Sequence, residues 1–137
     1  MRRKIEIIQV ILCVCILLGG CSFSKASDKK IREMAFTIED ENQLIEEVVK
    51  MIEAKKENAF QLAYHTEEVT YIILGYGMQE TSGYHIQVNE VYEGEDSVWV
   101  DTDLIGPQKG ETVEQSPTYP YVIIKTEKID QLIRFKS

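Results

Sequence analysis

Histidine, cysteine and positive charge are all in short supply in this chain, and each shortage closes off a class of function. Three cysteines in 137 residues are too few for a disulfide scaffold. The two histidines, His65 and His85, belong to no H-x-H, H-E-x-x-H or H-x3-H spacing that would hold a metal, and both read as surface residues. No G-x-S-x-G, P-loop or G-x-G-x-x-G is present, and Gly75-Tyr76-Gly77 is too short to cradle a phosphate. The few serines have no patterned base. Fifteen Lys and Arg against 23 Asp and Glu give a formal charge of −8. Nucleic acid is therefore a poor partner, since phosphate neutralisation needs clustered cations. The length allows one domain, and no internal repeat is visible. What is present argues for a folded chain: hydrophobic residues make up 44%, with seven tyrosines, well outside disordered composition.

Residues 1–21 read MRRKIEIIQVILCVCILLGGC. Arg2, Arg3 and Lys4 precede a 12-residue stretch, 7–18, that is apolar apart from Gln9. As a helix that stretch covers roughly 18 Å, short of the ~30 Å hydrocarbon core, so the layout is that of a secretory signal peptide at residues 1–20. Leu18-Gly19-Gly20-Cys21 resembles the bacterial lipoprotein lipobox. The resemblance implies cleavage before Cys21 and a diacylglyceryl thioether on its sulfur. Two acyl chains suffice for stable anchoring. The expectation is an extracytoplasmic, membrane-held lipoprotein, with the lipidated Cys21 and a polar tether over 21–37. Cleavage removes Cys13 and Cys15 and alkylation consumes Cys21, which leaves 117 residues and no free thiol. Residues 1–20 carry three basic and one acidic side chain, so the mature formal charge falls to −10.

The remainder, 38–137, reads as one domain. Over 39–58 the apolar pairs Leu44/Ile45, Val48/Val49 and Met51/Ile52 make one stripe at the helical period. Acids lead, Lys55 and Lys56 trail, and Thr37 or Asp40 stands where a cap belongs. Glu46 and Glu47 read as a solvated face. From 59 onward the period changes to two. Phe60, Leu62 and Tyr64 alternate with small or polar residues. The segment 69–76 (VTYIILGY) is apolar on both faces and reads as a central strand. Further strands follow at 84–91, 98–104, 121–126 and 132–135. In the first of these the phase slips at Asn89–Glu90, as a bulge would make it. Glu93-Gly94-Glu95-Asp96 reads as a hairpin turn, while 77–83 and 106–120 are longer loops. Asp101 and Asp103 share a strand face with acids in the turn before them. Their carboxylates suit calcium, but without EF-hand spacing they read as an acidic surface. The pattern predicts an α+β, mainly β domain: a small antiparallel sandwich or partial barrel of about six strands after one amphipathic helix.

Two stretches go beyond generic strand sequence. Thr81-Ser82-Gly83-Tyr84-x-Ile86-x-Val88 and the later Thr118-Tyr119-Pro120-Tyr121 resemble, in order and spacing, the PrcB C-terminal domain family, over about residues 60–135. Ser82 stands where that family often has Gly. The resemblance implies a secreted, often lipid-anchored β-rich domain. The family is named for a non-catalytic subunit of a surface protease complex, and no catalytic residues come with it. The implied role is a binding or assembly module with an unidentified protein partner, an extracytoplasmic protease being the kind the family name indicates. Gly83, Tyr84, Tyr119, Pro120 and Tyr121 are its candidate binding or structural motif. Physically, Gly83 is able to take a positive φ, Pro120 holds Tyr119 extended, and an aromatic–Pro bond has a raised cis tendency. The three tyrosines read either as a recognition patch or as hairpin corner and core. Glu80–Tyr84 also resembles the TTGY loop of chagasin-type protease inhibitors, whose other elements are missing. A protease inhibitor is thus the second reading and an unrecognised hydrolase the third. No cofactor and no small-molecule substrate is indicated.

Overall fold

The computed structural model describes residues 28–137. The signal peptide, the lipobox and Cys21 lie outside them. Eight strands run in chain order: β1 Arg32–Glu33, β2 Phe36–Glu39, β3 Ala59–His65, β4 Val69–Tyr76, β5 His85–Glu93, β6 Ser97–Ile105, β7 Tyr121–Glu127 and β8 Leu132–Lys136. One helix, α1 Glu46–Lys55, lies between β2 and β3. The strands form two four-stranded sheets, β1-β5-β6-β8 and β2-β7-β4-β3, so the expected mainly β sandwich is what forms, and no closed barrel.

The layering follows from side-chain alternation in β4. Ile72 and Leu74 point into the space between the sheets, where they meet Val91, Val98 and Val100 of the first sheet and Ile124 of β7. Tyr71 and Ile73 point the other way and meet Val48 and Ile52 of α1. The second sheet is thus covered on both faces, which is why β4 has no polar face. The first sheet has no helix over it. There Tyr92, 1% exposed, lies beneath the ammonium groups of Lys30 and Lys136, 5.3 and 5.1 Å from its ring centroid. Long cationic stems do the covering.

Four differences from the sequence reading have physical causes. First, two short strands precede the helix, so residues 32–33 and 36–37 of the expected tether are paired. Arg32 and Glu33 pair with β5 in one sheet, and Phe36–Glu39 with β7 in the other. Strands this short show no period. Second, the helix is shorter than 39–58. Asp40 caps a separate 3-10 turn, Glu41–Gln43, by accepting the Asn42 N–H at 2.8 Å, and Leu44 and Ile45 are extended. This break turns Leu44 onto the helix cluster and leaves Ile45 exposed. Third, there are eight strands rather than about six. Fourth, every pairing is antiparallel except β6–β8, which is parallel. The chain leaves β7 in one sheet and enters β8 in the other, and buried Ile129 donates its N–H to the Thr70 hydroxyl at 2.9 Å to fix that crossing. The bulge is where the phase slip placed it, between Val88 and Glu90 of the β5–β6 ladder. The hairpin at Gly94 closes through its N–H on the Ser97 carbonyl at 2.8 Å.

Candidate functional site

The two stretches singled out in the sequence are 30 to 40 residues apart along the chain, yet they meet at one end of the sandwich. The loop 77–84 carries the chain from β4 to β5, and 106–120 from β6 to β7. Both cross between sheets, so both ends of both loops lie at the same edge of the core. Gln79 and Thr118 exchange backbone bonds of 2.8 and 2.9 Å. The Thr118 hydroxyl donates to the Thr81 carbonyl at 2.7 Å. Ser82 donates its N–H to the Glu114 carbonyl at 3.1 Å, and Glu114 N–H donates to the Ser82 hydroxyl at 2.8 Å. The Ser82 hydroxyl, at the position where the resembled motif often has Gly, therefore contributes a bond that glycine would not.

Each motif residue has an identifiable local task. Gly83 has φ +92°, and a Cβ there would stand 3.0 Å from both Pro107 and Val113. Backbone conformation and space both require glycine. Tyr84 lays its ring against Gly106. Pro120 is joined by a trans bond, and its carbonyl accepts the Tyr76 N–H at 3.2 Å. Tyr121 pairs with Gly75 and packs on the helix cluster. Tyr119 lies 5.5 Å from the Lys56 ammonium. The three tyrosines find different neighbours; the stacked ring pair is instead Tyr64–Tyr71, centroids 6.1 Å apart. Exposed side chains such as Met78, Glu80, Glu114 and Gln115 present this end to solvent.

The other polar residues singled out in the sequence, His65, His85, Asp101 and Asp103, lie on strands β3, β5 and β6. His65 Nδ1 is 2.9 Å from the Thr70 hydroxyl, and His85 is exposed on β5. Asp101 and Asp103 both accept from the side-chain amide of Asn89, at 3.3 and 2.9 Å. Among the described residues no group of three or more His, Cys, Asp or Glu could hold a metal ion, and no helix is long and apolar enough to cross a membrane.

The sequence reading missed a second feature, an open groove along one flank. Two pockets of about 440 and 350 Å³ share Gln61 and Phe135 and so form one trough between β3 and β8. Ala59, Gln61, Ala63 and His65 form one side, with Ile133 and Phe135 opposite. The signal was the small and polar residues alternating with Phe60, Leu62 and Tyr64. Inward positions of an edge strand held by Ala and Gln leave a gap that larger side chains would fill.

Residues 70–127 match the family model described as PrcB C-terminal. No curated protein and no solved structure matches the chain.

Proposed function

We propose that the chain, whose residues 70–127 match the family model described as PrcB C-terminal, is a non-catalytic accessory subunit, anchored through lipid on Cys21 to the extracytoplasmic face of a membrane, that binds an extracytoplasmic protease. The observation that carries this reading is the convergence of the loops 77–84 and 106–120. The matched segment spends its characteristic residues on tying two crossing loops into one fixed end. Preorganised loops of this kind lose little entropy on binding, and loops on a rigid sandwich are where binding surfaces commonly lie. The acidic composition keeps the domain off an anionic bilayer, within roughly a ~10 Å Debye length, and leaves that end free. Gly83 and Tyr84 are engaged in packing, which favours a docking surface over an inhibitor's inserted loop.

The test is photo-cross-linking on intact cells from a photoreactive residue at Gln115, followed by mass spectrometry. A protease or a subunit of its complex is the expected catch. Recovery of no protein, or only of unrelated ones, overturns the reading. Palmitate labelling of the wild type and its loss in Cys21→Ala tests the anchor separately.

A further inference from the structure

We infer that β3 is a self-association edge, and that a second copy of this chain pairs its own β3 antiparallel to it, continuing the helix-covered sheet across a two-fold axis. The inference starts from hydrogen-bond phase. Thr66 N–H donates to the Val69 carbonyl at 2.9 Å, and Tyr76 N–H to the Pro120 carbonyl at 3.2 Å. With the β3–β4 and β4–β7 registers, these two bonds fix which peptide groups face which neighbour. Phe60, Leu62 and Tyr64 turn theirs towards β4. Ala59, Gln61, Ala63 and His65 turn theirs outward, where no strand of the described residues meets them.

Natural sheets blunt such an edge with lysine, proline, a bulge or brevity. The β1 and β2 edges are two and four residues long, and β8 carries Arg134 and Lys136. β3 has none of these defences: seven residues, AFQLAYH, in regular register with β4.

The occupant is chosen by symmetry and charge. The outward residues are evenly disposed about Leu62, so a two-fold there pairs Gln61 with Ala63 and Ala59 with His65 of the second copy. Every outward peptide group then finds a partner. The small side chains of Ala59 and Ala63 leave clearance on the groove face for the approaching strand. Lys55, Lys56 and Lys136 outnumber Glu53 and Glu57 at the Ala59 end of β3, where Lys56 is bonded to Glu53 at 2.7 Å, and Glu67 and Glu68 outnumber Lys128 at its His65 end. Antiparallel pairing brings each copy's basic end beside the other's acidic end, which offsets locally the repulsion of two chains of formal charge −8. No Asp or Glu lines the groove. A two-fold interface of this kind belongs to the commonest class of oligomer.

The test is sedimentation equilibrium of the full chain in density-matched detergent, over a hundredfold range of protein concentration. The wild type is expected to pass from monomer to dimer. Over the same range the amides of Gln61, Ala63 and His65 slow in hydrogen exchange. Ala63→Pro removes an outward N–H that β4 does not use, and it should weaken the dimer at least tenfold. Should that variant not fold, Gln61→Lys supplies an edge charge with the same expected result. A wild type monomeric throughout overturns the inference. So does a dimer that survives both substitutions, or one whose protection falls elsewhere. Capture of a foreign strand at β3 by a chain that stays monomeric overturns it as well.

Discussion

The two flanks of the sandwich are built in opposite ways. On one, the chain itself passes from sheet to sheet. β1 and β2 are separated only by Met34 and Ala35, Met34 is 6% exposed, and its N–H bonds the Val91 carbonyl at 2.9 Å. Arg32 lies across the same gap, 2.6 Å from Glu127 of the second sheet and 3.2 Å from Glu93 of the first. The bond to Glu127, then that to Glu93, raises the guanidinium above its ordinary range. Lys30 is likewise raised by bonding Glu90, then Glu33. On the other flank β3 and β8 stand apart with a groove between them, and the tie nearby is the Tyr76–Thr102 hydroxyl pair at 2.7 Å. In this sandwich the inter-sheet cluster is buried with one flank laced. The other is then free to remain an edge.

The sharpest way to break this contrast is Met34→Ala. Met34 packs in the inter-sheet cluster, and truncating a buried side chain of its size costs about 2–4 kcal/mol. Chemical denaturation followed by the single tryptophan, Trp99, measures the loss. A cost under about 1 kcal/mol would mean that the lacing is ornamental.

Arg32→Met isolates the ionic part of the same flank. Arg32 is exposed, and exposed pairs are worth about 0.2–1 kcal/mol each and fade with salt. The expected loss is small at low ionic strength and vanishes in ~1 M salt. A loss independent of salt would place the contribution of Arg32 in its alkyl packing instead.

How much of this was legible in the sequence depended on whether a residue's role was local. β4 declared itself by apolar residues on both faces, because both faces are covered. The bulge at Asn89–Glu90 showed as a phase slip, and Gly83 as the only residue type for its turn. Non-local features were silent. Nothing in Leu132–Lys136 announces a parallel neighbour, since the direction of β8 is set by the crossing at Ile129. Nothing in Arg32–Glu33 announces a strand, since two residues cannot show a period. The motif residues stood out by order and spacing, but whether their loops met was a matter of topology. The edge at β3 lay in plain view as Ala59, Gln61 and Ala63, but pattern reading attends to the large residues between them.

The gentlest test enlarges the open flank rather than cutting the closed one. Ala63 is exposed, sits opposite Ile72 and faces the groove wall of Ile133 and Phe135. Added volume in a packed core costs about 1–3 kcal/mol, so Val100→Phe, at a fully buried site, should cost that much. Ala63→Leu puts its extra methylenes into space that already exists. The lost helix-former is immaterial in a strand, and the new apolar contact offsets the rotamer entropy of about 0.5–1 kcal/mol. Stability at dilute, monomeric concentration should therefore change by less than about 0.5 kcal/mol, as for an unconstrained surface site. A loss as large as that of Val100→Phe would mean that β3 and β8 close on each other in solution, and the two flanks would then be alike.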